Sequence, residues 1–404
     1  METMCGGARP AAGARERGAS SLEYLGAILV GTLVTLGLVV AAPGWGQQIT
    51  RTASTAVCTV AQHLGGSVGC SVAGSTAAGA GEESEDPYRD RRWTRGDVTR
   101  GGVVFIGDSY GAGEGARDYD PATDQTGEQS WWDRLRNQDV PPKNMCHRSD
   151  NAAYHVVKDS WFSGNDGTFA SCSGARTGDY WGETQGNSED PQRDALTKDT
   201  SLVVVSMGGN DMQFAAVLTS CAPVGSGSVK DCIGHWDGPS DPDDPDSQSR
   251  WEQNLAELFG TEPGGGTLGD VYDDIRGQTG DNAHVVVMGY PQIFDENYPG
   301  GVFSREEAAW MNEKSVLLNE ALRAHAEHYG FTFIDPTEAF DGHGVGSDDP
   351  WILTFGFWGD HRAQPPEAYH PTADGQRAIG ELVNDHITHL PSLPVMPEPD
   401  KIEE

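Results

Sequence analysis

Short continuous apolar runs recur along the second three-quarters of the chain. Five stand out: Val103–Ile106, Thr168–Ala170, Leu202–Met207, His284–Met288 and Phe331–Ile334. Most are rich in β-branched residues and lack strict in–out alternation. That pattern predicts strands buried on both faces, as in a parallel sheet covered by helices. Amphipathic helices are expected between them at Trp131–Asn137, Trp251–Leu258, Glu306–His328 and Gly375–Leu390. Strand–helix alternation of this kind predicts an α/β chain: a three-layer α/β/α sandwich with a mainly parallel five-stranded sheet. In such sheets, sites form beyond the carboxyl ends of the strands.

One run has a different character. Leu25–Ala42 is uncharged and long enough to cross a bilayer at about 1.5 Å per residue. Arg9, Arg15 and Arg17 precede it, which predicts a cytoplasmic N-terminus and an external remainder. The alternative is a cleaved secretory signal. The run is longer than a usual signal core, and Pro43 follows Ala41-Ala42. The expected organisation is a cytoplasmic N-terminus (1–21), a transmembrane helix (22–42), an extracellular stub and flexible linker (43–100), a main domain (101–390) and a disordered tail (391–404).

Composition adds two constraints. The 404 residues carry a formal charge of −34. A polyanion of this size excludes nucleic acid as a partner and predicts solubility. Six cysteines follow the apolar run and one, Cys5, precedes it, as suits an oxidising exterior with three bridges. Sequence alone permits fifteen pairings. Local closure favours Cys58–Cys70, Cys146–Cys172 and Cys221–Cys232. No CxxC or HExxH occurs, so neither a structural nor a protease-type zinc site is expected.

The residues after the runs carry the chemistry. Gly107-Asp108-Ser109 follows the first, Ser173-Gly174 the second, and Gly209-Asn210-Asp211 the third; Glu367-Ala368-Tyr369-His370 lies near the C-terminus. A Ser, a Gly, an Asn and a His in this order resemble the four blocks of the SGNH (GDSL-type) hydrolases over residues 101–390. The stretches Gly-Asp-Ser-Tyr-Gly-Ala-Gly-Glu-Gly-Ala, Cys146-His-Arg-Ser and Cys172-Ser-Gly-Ala are similar to the secreted bacterial esterase and lipase branch. The resemblance implies a flavodoxin-like sandwich, a serine esterase without cofactor, and the second and third bridges. It implies Ser109 as nucleophile and His370 as base, with the N–H groups of Ser109 and Gly174 and the Asn210 amide as oxyanion donors. The family often has Asp three residues before the His, where this chain has Glu367. Glu367 is thus the candidate orienter of His370, and a backbone carbonyl near the His, such as that of Ala368, is the alternative. Asp108 and Asp211 are expected to hold loops.

At the N-terminus, Gly18-Ala-Ser-Ser-Leu-Glu23-Tyr24 before the apolar run resembles Flp-type pilins and pseudopilins. That resemblance implies cleavage after Gly18 and contact with pilus subunits; a plain signal anchor is the alternative. The functional expectation is an extracellular membrane-anchored esterase acting on a lipid, an acetylated glycan or a small ester. A pilus-associated or surface binding protein with an inactive hydrolase-like domain is the rival.

Remaining motifs read as structural. Gly111-Ala-Gly-Glu-Gly-Ala matches a dinucleotide fingerprint, yet lacks the acidic strand end ~20 residues on. The acidic Asp237–Asp246 stretch lacks calcium-loop spacing and reads as a solvated loop. His284, His325, His328, His343 and His361 show no ligand spacing and read as surface or packing residues. Trp131, Trp132, Trp161, Trp181, Trp351 and Trp358 are candidates for a cleft lining, or core.

Overall fold

The structure, a computed structural model, describes Tyr88 and residues 91–126, 143–164, 167–182, 187–223, 228–260, 266–356, 361–363 and 366–392. The expected apolar span, the Gly18 motif, Cys58–Cys70, the helix at Trp131–Asn137, Trp131, Trp132 and Trp358 lie outside these residues. Among the described residues no helix is long and apolar enough to cross a membrane.

The five apolar runs form one sheet: β1 (Gly102–Gly107), β2 (Gly167–Phe169), β3 (Thr200–Ser206), β6 (His284–Met288) and β7 (Thr332–Ile334), in the order β2-β1-β3-β6-β7. Every pairing in it is parallel. All residues of β3 and β6, and all but the first of β1, are buried. Successive strand residues point to opposite faces, so both faces are covered and the sheet is the middle of three layers. This is why the runs do not alternate.

The helices supply the outer layers. In chain order they begin with α1 (Arg95–Val98), α2 (Ser109–Ala112) and α3 (Ala153–Trp161). Then come α4 (Phe214–Cys221), α5 (Cys232–Asp237), α6 (Arg250–Leu258), α7 (Leu268–Thr279), α8 (Arg305–His328) and α9 (Ala373–His389). α3 packs along α9, and α8 lies against β6 and β7. Capping boxes begin several of these helices, including Ser304 with Glu307 for α8, Thr267 with Asp270 for α7 and Ser249 with Glu252 for α6. Two disulfides, Cys146–Cys172 and Cys221–Cys232, close as expected.

Two expectations need correction. The linker does not extend to residue 100: Tyr88, Trp93 and Val98 are buried in the main core. Tyr88 donates its hydroxyl to Ala283 O, and Arg91 covers the Trp93 ring at 3.9 Å. The acidic stretch is an exposed antiparallel hairpin, β4 (Pro239–Asp241) with β5 (Asp244–Ser249), rather than a plain loop. Its pairing is backbone work, which an acidic composition conceals.

His284 and His343 serve in packing. His284 stacks on His386 with their Nε2 atoms 2.9 Å apart. Burial, then the neighbouring His386, pushes His284 down to about 3, so it stays neutral. His343 stacks on Trp351 at 3.6 Å between ring centroids, which occupies that tryptophan in packing. Trp161 also packs against the core, whereas Trp181 is 36 % exposed.

Candidate active site

The central strands deliver two of the four blocks side by side. Gly107 at the end of β1 pairs with Ser206 at the end of β3. The chain order passes from β1 outward to β2, then back across to β3, so a crevice opens beyond these two ends. Gly107 has φ +136°, and a Cβ there would lie 1.9 Å from Ser206 O. Only glycine fits. Gln192 fixes this turn, accepting from Gly107 N–H at 2.7 Å and donating to its carbonyl at 2.9 Å.

Asp108 then caps α2 by accepting from Tyr110 N–H at 3.0 Å, which leaves Ser109 as the first helical residue. The other Asp108 oxygen accepts from the Tyr290 hydroxyl at 2.6 Å, and that hydroxyl accepts from Gly209 N–H at 2.9 Å. Tyr290 thereby ties the Ser109 turn to the Asn210 turn. Burial pushes the Asp108 carboxyl up to about 7, against the hydrogen bonds from Tyr290 and Tyr110. Asp108 is a loop-holding residue, as expected.

His370 arrives from a loop clamped to its neighbours. Tyr369 N–H donates to Leu353 O, Leu353 N–H donates to His370 O, and Tyr110 Oη donates to Tyr369 O at 2.9 Å. Gly115 makes room, since a Cβ there would stand 2.9 Å from His370 Cβ. His370 Nε2 lies 2.8 Å from Ser109 Oγ, and Nδ1 lies 3.2 Å from Ala368 O. A carbonyl only accepts, so Nδ1 carries the proton and Nε2 presents a lone pair to the Ser109 hydroxyl. Burial holds the imidazole below its usual range, against the Glu114 carboxylate and the carbonyls of Ala368, Glu367 and Pro366. A neutral imidazole facing an alcohol at this distance can take its proton.

Gly174 and Asn210 are brought together by a double clasp. Asn210 Nδ2 donates to Ala175 O at 2.9 Å. Next to it, Asp211 accepts from Thr177 Oγ1 at 2.7 Å and from Thr177 N–H at 3.2 Å. Two adjacent residues after β3 thus hold two residues just past Gly174. Gly174 has φ +82°, a left-handed conformation suited to glycine. The Cys146–Cys172 bridge and the bond from Cys172 N–H to Gly107 O at 3.0 Å fix the same loop from behind.

The expected Glu367–His370 contact is not formed. Glu367 Oε1 accepts instead from Tyr119 Oη at 3.0 Å. The cause lies in the backbone: a turn from Glu367 O to His370 N–H and a left-handed Tyr369 (φ +67°) aim the Ala368 carbonyl at Nδ1. Glu367→Ala should therefore stay within about fivefold of wild-type activity. Losing one part-exposed hydrogen bond is worth about 1 kcal/mol, or roughly fivefold in rate. Steady-state kinetics check this, and a hundredfold loss of kcat would restore Glu367 as the orienter.

Sequence reasoning missed several residues. Tyr290, Gln192 and Gln376, which donates to Tyr110 O at 2.9 Å, carry no motif. Glu114 did carry a signal, being the single acid among Gly and Ala from Gly111 to Ala116. That glycine-rich stretch forms the turn and loop beside Ser109. Among the described residues, no group of three or more His, Cys, Asp or Glu is arranged to hold a metal ion.

Known proteins resemble this chain over the same region. The GDSL-like Lipase/Acylhydrolase family matches residues 105–378. Lipase 1 of Streptomyces coelicolor is 31% identical over 278 residues, covering 68% of this chain and 82% of that protein. The lipase of Streptomyces rimosus is 29% identical over 279 residues, covering 68% and 81%. Among solved structures, phospholipase A1 from Streptomyces albidoflavus is 28% identical with a TM-score of 0.51, covering 70% of this chain and 98% of its own. From the sequence match and the shared sheet, the chain belongs to the GDSL-like lipase/acylhydrolase family and is a carboxylic ester hydrolase.

Proposed function

We propose that the chain is a serine esterase that works through an acyl-enzyme on Ser109. The 2.8 Å approach of Ser109 Oγ to His370 Nε2, with Nδ1 directed at the Ala368 carbonyl, carries this reading. Ser109 Oγ attacks the ester carbonyl carbon as its proton passes to Nε2. The N–H groups of Ser109 and Gly174 and the Asn210 amide receive the oxyanion. Collapse breaks the bond to the alcohol, which leaves with the proton from His370. Water then repeats the sequence, releases the acid and restores Ser109.

The substrate proposed is a lipid carboxylic ester. Relatives of 29–31% identity are named lipases, and a solved relative is titled a phospholipase A1. Acetylated glycans and small esters are the other outcomes of a substrate screen. We place the domain outside the cell, where two disulfides suit the redox conditions. Residues 22–42 would be its anchor, and a pilin-like cleavage after Gly18 would be read from the mature N-terminus.

The test uses the full-length protein in detergent and a fluorophosphonate probe, with the adduct mapped by mass spectrometry. The expected result is one adduct on Ser109. A folded, disulfide-intact protein that takes no label would instead favour a surface binding role.

A further inference from the structure

Glu114 is a fully buried carboxylate that the steps above leave unused. It sits five residues past Ser109, its own N–H donating to Ser109 O at 3.0 Å. Oε2 meets His147 Nδ1 at 2.7 Å and accepts from Ser173 Oγ at 2.7 Å. Oε1 lies 3.2 Å from Tyr119 Oη, whose single proton is shared with Glu367, and Tyr119 Oη accepts from Gly115 N–H at 2.9 Å. One carboxylate thus touches the nucleophile turn, the loop carrying Gly174, the segment carrying Cys146 and, through Tyr119, the loop carrying His370.

The charge itself needs a reason, because burying one is costly without compensation. The reaction makes His370 a cation, and a triad would set a carboxylate against its Nδ1. Here Nδ1 faces a neutral carbonyl. Glu114 is the charged group whose field bears on His370. Its loop is in contact with that residue, as the Gly115–His370 approach shows.

The other ionisable groups facing Glu114 or His370, among the described residues, include His147, Asp124, Glu367, Tyr119 and Tyr110, whose ring centroid lies 5.2 Å from that of His370. Arg148 is engaged with Glu189. Asp124 Oδ1 lies 3.6 Å from His147 Nε2, so His147 divides its charge between two carboxylates. The cluster thus sets three carboxyl groups, Glu114, Asp124 and Glu367, against the single imidazole of His147. Burial pushes the Glu114 carboxyl up, but bonding to His147, the charges of His370 and His147, and the Ser173 bond outweigh it and hold it low.

We propose that Glu114 is a positioning residue of this site: its buried negative charge supports the His370 imidazolium from a distance, and its bond to Ser173 anchors the Gly174 loop. The inference rests on the serine esterase reading. It assigns to a residue near the nucleophile the electrostatic work that a triad places beside the histidine.

The experiment measures the rate of fluorophosphonate inactivation of the full-length protein against pH. Removing a negative charge destabilises the imidazolium, so His370 loses its proton at lower pH. In Glu114→Gln the acid limb should move down by about one pH unit, and the plateau rate should fall roughly tenfold. Glu114→Asp, which keeps the charge, should return the limb towards the wild-type position. A limb that stays in place in a folded Glu114→Gln protein overturns the proposal, whatever the plateau does.

If Glu114→Gln does not unfold cooperatively, Ser173→Ala decides. It keeps the charge but frees the loop, so the limb should stay and the plateau should fall roughly tenfold to a hundredfold, the scale of one charge-assisted hydrogen bond. An unchanged plateau overturns the proposal. Wild-type protein that takes no label at all sinks the esterase reading itself and takes this inference with it.

Discussion

Turnover of a soluble ester should fall on the order of 10⁴–10⁶-fold in His370→Ala, with KM little changed. That corresponds to about 5–8 kcal/mol of lost transition-state stabilisation. Ser109 is an ordinary alcohol, and its nucleophilicity depends on a base within reach. In the proposed mechanism that base is Nε2, 2.8 Å away. The same nitrogen would return the proton to the departing alcohol, so one substitution would disable both steps. Ser109→Ala should cost as much, and the double variant no more, because the two residues act as a unit. The pH profile follows from the same imidazole. Its folded value is depressed by burial, so the base stays neutral below about pH 6.5, the ordinary imidazole value. Activity should persist below that pH and fall only as His370 takes up its proton. A His370→Ala protein within tenfold of wild type would mean that another group accepts the Ser109 proton.

The strands were legible because burial on both faces leaves an unmistakable run of β-branched residues, and Val203–Val205 and Val285–Val287 are the clearest cases. The placement of Ser109 and Asn210 followed from topology, since ligands collect beyond adjacent strand ends. The orienter of His370 was less accessible. A carboxylate is visible as a letter, whereas the direction of the Ala368 carbonyl depends on the left-handed Tyr369 and the turn around it. The boundary of the folded body was hidden for another reason. Tyr88 and Trp93 are isolated apolar residues among arginines; Arg91 of that basic stretch lies over the Trp93 ring at 3.9 Å, and Arg276 of α7 lies over Tyr88 at 4.8 Å. Arginines that look solvated in the sequence cover core aromatics, one from within the stretch and one from a distant helix.

Asn210→Ala should lower kcat by roughly 10²–10³, the usual cost of one oxyanion donor, while leaving KM near its wild-type value. The amide has two N–H groups. One is held by Ala175 O at 2.9 Å, which fixes the plane of the side chain, and the other remains for the oxyanion. A donor held in place before the charge develops stabilises the transition state without reorganising during the step. Its effect therefore falls on kcat. Asn210→Asp is the sharper variant, because it keeps the size and removes the donors. Its carboxylate would face both the Ala175 carbonyl and the developing oxyanion, two repulsive encounters where the amide made two bonds. Activity should fall below that of the alanine variant, and the Asn210 turn should lose its grip on the Gly174 loop despite the intact Asp211–Thr177 clasp. Fluorophosphonate labelling of Ser109 should slow in the same order, since phosphonylation also builds negative charge on oxygen. If Asn210→Asp labels as fast as wild type, the amide is only a loop fastener, and Ser109 and Gly174 N–H hold the oxyanion between them.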